Sequence, residues 1–160
     1  MFLRVTLPVG LIVVAFLTGC RQEQHPVVTA DAAPTHTVSK DSKIIVPAGV
    51  QERWKAVKVA VFDKPAAVQK IYSIPVGGRL AVPSSDLVIE VEAFLPAFTM
   101  EGPVITSSSL ELKNPGAKVR ILENGKMIFR GWLFSLFPKT HAFMHPRFGF
   151  TLVDVVPARK

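Results

Sequence analysis

Two histidines and a methionine stand close together near the end of this 160-residue chain: His141, Met144 and His145. Imidazole nitrogen with thioether sulfur is a donor set suited to copper. Residues four apart on a strand are separated by ~13 Å, so a shared ion needs a loop at this point. Packing is the preferred reading of the three, with copper kept as the one alternative cofactor. The carboxylates are the next candidates. Glu90 and Glu92 lie two apart and therefore on one strand face, as an acid/base pair could, but a solvated face opposite Leu87, Ile89 and Val91 explains them better. Asp63 and Asp154 are single acids in or beside strands, where a buried salt bridge or a turn accounts for them. Ser107-Ser108-Ser109 has no base at a recognisable spacing. The chain also lacks a Gly-x-Ser-x-Gly elbow, His-Glu-x-x-His, a phosphate loop, a dinucleotide glycine pattern and Cys-x-x-Cys. No catalytic residue is assigned, and the chain is expected not to be an enzyme.

The single cysteine, Cys20, carries a different chemistry. Met1 to Arg4 bears one positive charge, and Val5 to Leu17 is uncharged, with Pro8 and Gly10 inside it. That pattern reads as a secretory signal, since a spanning helix needs ~20 apolar residues. The run closes on Leu17-Thr18-Gly19-Cys20, which resembles the lipobox of bacterial lipoproteins. The resemblance implies cleavage before Cys20 and acylation of its thiol, so membrane lipid is the first expected partner. An aspartate after the cysteine would resemble an inner-membrane retention signal. Arg21 stands there instead, so the expected location is the cell envelope, on the outer membrane facing the periplasm where the cell has two membranes. Loss of residues 1–19 removes only Arg4 from the net charge of +7. Export and the absence of a long Lys/Arg run exclude nucleic acid from the expected partners.

These groups must be held by whatever folds after the cysteine. Residues 20–42 are rich in Pro, Thr, Ala, Gln and Ser and poor in aromatic rings, too little apolar surface to offset ordering entropy. They read as a disordered tether with an r.m.s. reach of roughly 25 Å. From 43 to 157 the pattern changes to short segments separated by Pro, Gly, Asn and Ser. Val57, Val59 and Val61 alternate with Lys58 and Ala60, and Leu87, Ile89 and Val91 with Glu90 and Glu92. Period two predicts strands. Ala117 to Glu123, Asn124-Gly125 and Lys126 to Phe134 predict a hairpin on a type I′ turn. Phe148, Phe150 and Leu152 predict a last strand, and 158–160 a short tail. No helix of comparable strength is expected. The fold class is all-β, a small β-sandwich or barrel of short, mainly antiparallel strands, without disulfides, because one cysteine cannot form one within the chain.

Phe62-Asp63-Lys64, Pro75-Val76-Gly77, the strand from Leu87 to Leu95, Gly131-Trp132-Leu133-Phe134, His145-Pro146 and Leu152-Val153-Asp154 occur in an order that resembles an uncharacterised bacterial envelope family, a domain of unknown function numbered twenty-one fifty-five. The resemblance spans roughly 57–155 and implies no activity. Relatives carry cysteines where this chain has Phe94 and Val155, so the disulfide the resemblance would imply is excluded here. Two connections are unusually apolar: Leu95-Pro96-Ala97-Phe98-Thr99-Met100, and the stretch from Leu136-Phe137-Pro138 to Ala142-Phe143-Met144. Folding back as lids on the core is the first reading. The functional one is a partner surface made from Phe98, Met100, Phe137 and Phe143, since contiguous apolar patches tend to mark interfaces. The whole chain is thus expected to be a lipid-anchored envelope protein with a non-catalytic binding or positioning domain and an envelope protein as partner. A periplasmic copper- or haem-handling factor and a hydrolase of envelope polymer are the alternatives.

Overall fold

The computed structural model describes residues 42–140 and 142–158. The predicted signal segment, Cys20, the predicted tether as far as residue 41, His141 and the last two residues of the predicted tail lie outside the described residues.

The described chain opens with β1 (Lys43–Ile44) and α1 (Ala48–Arg53), then the hairpin β2 (Trp54–Asp63) and β3 (Val68–Pro75). Next come β4 (Arg79–Ala81), β5 (Leu87–Leu95), β6 (Phe98–Glu101) and β7 (Val104–Ser107). The hairpin β8 (Gly116–Glu123) and β9 (Lys126–Phe134) and the final strand β10 (Phe148–Pro157) complete it. Among the described residues these strands form three sheets, ordered β10-β2-β3, β4-β5-β8-β9 and β1-β7-β6. All named strand pairs are antiparallel except β1 with β7.

Two-residue alternation builds the main core. Val57, Val59 and Val61 of β2, with Phe148, Phe150 and Leu152 of β10, meet Leu87, Ile89 and Val91 of β5 and Val119 and Ile121 of β8 in one buried cluster. Two antiparallel sheets sharing an apolar layer make a β-sandwich, and the barrel alternative falls away. Each buried Val, Leu, Ile or Phe side chain contributes ~1.5–3 kcal/mol, which is how a domain without a disulfide stands. Alternation also sends β9 both ways: Leu133 enters the main core, while Trp132 and Phe134 emerge on the opposite face of their sheet. There they meet Leu95 and Ile105, with Phe98 and Met100 of β6 packed against them. The small β1-β7-β6 sheet therefore covers part of that face.

The predicted hairpin turn is present, with Asn124 at φ 51° and Gly125 at φ 77°, the left-handed pair a type I′ turn requires. One element was not expected: α1, which follows Pro47 and anchors itself through buried Val50. Six residues span less than two turns, too few to show a 3.6-residue period. Among the described residues no helix is long and apolar enough to cross a membrane.

Candidate binding surface

The predicted acids are all engaged by cations. The outer face of the four-stranded sheet carries two rows in register. Arg79, Glu90, Arg120 and Arg130 lie side by side across β4, β5, β8 and β9, and Ala81, Val88, Leu122 and Met127 form the adjacent apolar row. Arg120 binds Glu90 through Nε at 2.7 Å, and Arg130 binds Glu92 at 2.9 Å. Close by, burial holds the Lys118 ammonium below the usual lysine range, with Arg130 adding to the effect and Glu92 opposing it; its Nζ lies 5.7 Å from the Trp132 ring centre. Asp63 receives Nε and Nη2 of Arg147, the latter at 2.8 Å. This hydrogen bonding lowers its carboxyl below the ordinary value of 3.8 against a smaller opposing effect of burial. Lys58 does the same for Asp154 at 2.7 Å. The serine run is used to build a turn: Ser107 Oγ accepts the Ala97 N–H and donates to the Ser109 carbonyl, and Ser109 Oγ accepts the Glu111 N–H.

His145 is committed on both sides of its ring. Nδ1 accepts the backbone N–H groups of Arg147 at 3.2 Å and Phe148 at 3.0 Å, and Nε2 lies 3.3 Å from Glu123 Oε1. Two donors at Nδ1 assign the ring proton to Nε2, which donates to Glu123. Phe143 and Phe148 stack on the ring at centroid separations of 5.6 and 5.8 Å. Its carbonyl accepts Lys64 Nζ. Met144, by contrast, is 84% exposed. Among the described residues no three His, Cys, Asp or Glu side chains gather as a metal set; His141 and the lipidation candidate Cys20 are outside them.

The four residues predicted to form a partner surface separate. Phe143 is only 9% exposed and is a core residue, in ring contact with Phe129 at 5.2 Å and Phe150 at 5.5 Å. Phe98 is partly buried edge-on against Trp132 at 4.9 Å and Phe134 at 5.0 Å, and Met100 packs into the same cluster. These three are lids, because aromatic partners from distant strands reach them. Phe137 alone is open, at 56% exposure.

Phe137 does not stand alone. Exposed Leu112, Leu136 and Val153, from three separate stretches of chain, line one cleft of about 230 Å³, with Pro115 and Asp154 beside them. A bulge makes this wall: the pairing of β10 with β2 skips from Leu152 to Asp154, so Val153 is the extra residue and turns outward beside Asp154. Phe137 follows Leu136 directly, held by a turn in which the Thr140 N–H bonds its carbonyl at 3.0 Å. The sequence reading missed Leu112 and Val153. The first had a signal, two leucines in the Ser109 to Pro115 connection with no strand to bury them. The second had none, since strict alternation hides a bulge. A second cavity, of about 220 Å³, lies between the sheets, where Lys70 and Tyr72 face Val82 and Ser84 over a floor that includes Val61 and Phe148. Comparison of the chain with protein families, with curated proteins and with solved structures finds no match.

Proposed function

We propose that this protein is an envelope lipoprotein, held through acylated Cys20 to a membrane, the outer one where the cell has two, and similar to the uncharacterised family numbered twenty-one fifty-five, whose β-sandwich binds or positions an envelope protein without catalysis or a cofactor. One observation carries the binding part: exposed Leu112, Leu136 and Val153 converge on a single cleft with open Phe137 next in the chain. Scattered apolar side chains are ordinary on a surface, but convergence of several on one concavity is the arrangement that interfaces use. The Lys58–Asp154 pair supplies a polar rim at its edge.

The experiment places a photo-crosslinking amino acid at Leu136 in the full-length protein in living cells, with exposed Lys126 as the control. A discrete protein adduct at Leu136 and none at Lys126 is expected. Phe137→Ser should weaken that adduct while the melting temperature stays within a few degrees, because a surface substitution away from special features stays within ~0.5 kcal/mol. Phe143→Ser should instead unfold the domain, at a cost of ~3–5 kcal/mol for an emptied aromatic site. Equal labelling at Leu136 and Lys126 removes the proposal.

A further inference from the structure

A strand with one unpaired edge ends in water or in another strand, because its free N–H and C=O groups form a template for pairing. The two large sheets have four outer strands. β4 is three residues long, β9 carries Ile128 as an extra residue, and β10 is bulged at Val153 and ends on Pro157. Each is blunted by a device natural sheets use. β3 is long and unbulged, and carries only the core-facing Lys70 and the terminal Pro75 as such devices. Its eight residues keep unbroken register with β2 from Val68 opposite Asp63 to Pro75 opposite Ala56, and among the described residues no strand pairs with its second edge. On its outer side Ile71 is open, at 58% exposure, and at its start Val68, on the core-facing side, is open at 45%.

Its other face is also unfinished. Lys70 and Tyr72 lie opposite Val61 and Val59, so they share the side of the sheet that faces the core. Tyr72 is partly buried against the main core while Lys70 is exposed, and the two line a cavity with Val82 and Ser84. A core-facing lysine on an edge strand obstructs casual pairing, so any strand that adds here must answer its charge.

We propose that a second copy of this chain pairs antiparallel with β3 about a two-fold axis through Ile71. This register sets Ile71 opposite itself, Lys70 opposite Tyr72 of the second copy, Gln69 opposite Ser73 and Val68 opposite Ile74. The neighbouring registers fail for stated reasons. An axis through Lys70 brings two ammonium groups face to face. An axis through Tyr72 brings Pro75 opposite Gln69, where the ladder needs an N–H that proline lacks. A shift by one residue would put core-facing side chains opposite solvent-facing ones. In the Ile71 register each Lys70 meets a Tyr72 ring, a cation–aromatic contact made twice. The paired Ile71 side chains form an apolar strip with exposed Phe62, which shares their side of the sheet. The two β10-β2-β3 sheets become one of six strands, closed by symmetry, so no further copy can add at that edge.

The test uses the full-length chain in mild detergent with Cys20→Ser, so that an introduced cysteine is the sole thiol. Cα atoms directly opposite in an antiparallel pair are ~4.5–5.5 Å apart, within disulfide reach. Ile71→Cys should therefore oxidise to a covalent dimer. Gln69→Cys should not, because the two copies of residue 69 fall four residues out of register, ~14 Å apart. Sedimentation of the Cys20→Ser parent should show a reversible monomer–dimer equilibrium. Ile71→Asp, which places two carboxylates on the axis, should raise the dissociation constant at least roughly tenfold with the melting temperature of the dilute monomer unchanged. Equal or preferred crosslinking at Gln69, sedimentation of the parent as monomer up to about 1 mM, or an Ile71→Asp variant that still dimerises overturns the proposal.

Discussion

Asp63 shows how a charged side chain at the rim of this sandwich serves the fold. Two nitrogens of Arg147 hydrogen-bond its carboxylate, so Arg147 fastens the segment after His145 to the end of β2. The bond lowers the Asp63 carboxyl below 3.8, and Lys58 lowers that of Asp154 in the same sense. A group whose pKa is depressed on folding adds stability above its unfolded pKa, and that stability is lost as pH falls through the folded value. The sign is therefore acid-labile: both pairs support the fold at neutral pH and let go of it below about pH 4. Asp63→Asn should give a protein slightly less stable than wild type at neutrality, with a shallower fall in urea midpoint between about pH 4 and pH 2. The effect is small because the pair is solvent-screened. Parallel urea-midpoint curves for the two proteins across that range would show that the bond contributes nothing. His145 belongs to the same latch. With Nδ1 holding two backbone N–H groups and Nε2 turned to Glu123, its nitrogens are occupied in fixing the chain between Phe143 and Phe148.

At the scale of elements, β2, β5, β8, β9 and β10 are legible, and the first reading of the apolar connections as lids holds for Phe98, Met100 and Phe143, whereas β3, β6 and β7 are not read as strands. Val57, Val59 and Val61 alternate because β2 has one face on the core, and Asn124-Gly125 sits where both φ values are positive. Such signals are local. β6 and β7 escaped because four-residue strands show barely two periods, and Pro96 and Gly102 around them read as loop. The sequence favours lids for Phe98 and Phe143 but leaves an exposed partner surface open, for a related reason. Whether a loop aromatic is buried depends on rings that reach it from elsewhere in the chain, here Trp132, Phe129 and Phe150. The family resemblance yields a prediction at this scale. If relatives join the positions of Phe94 and Val155, those positions must lie within ~7 Å at Cα. Both side chains are in the main core; the Phe94 ring meets Trp54 at 6.1 Å, and Trp54 pairs with Pro157, two residues beyond Val155. A protein with Phe94→Cys and Val155→Cys should crosslink under oxidising conditions, seen as faster migration on a non-reducing gel. A folded double variant with two free thiols under those conditions would remove the register on which the resemblance rests.

For the whole molecule, the β-sandwich and the candidate lipid anchor at Cys20 are separate features of one chain. Apolar burial holds the domain together without a disulfide, and the sequence has a single thiol, at Cys20. The use proposed for that thiol is read from Leu17-Thr18-Gly19-Cys20 behind an uncharged run. Each acyl methylene buried in lipid adds ~0.8 kcal/mol, so several chains on one cysteine hold a protein to a bilayer far longer than one chain does. Under the proposed attachment, the apolar cleft and the β3 edge would meet partners at a high effective concentration, where weak surfaces suffice. The prediction is direct. Cys20→Ser should accumulate as an uncleaved precursor and lose all incorporation of radiolabelled palmitate, because no other thiol exists to accept the diacylglyceryl group. The Leu136 crosslink should weaken in the same strain if anchoring concentrates the domain near its partner. Labelling that persists in Cys20→Ser would place the acyl group elsewhere and end the lipoprotein reading, while leaving the sandwich and its cleft as they are.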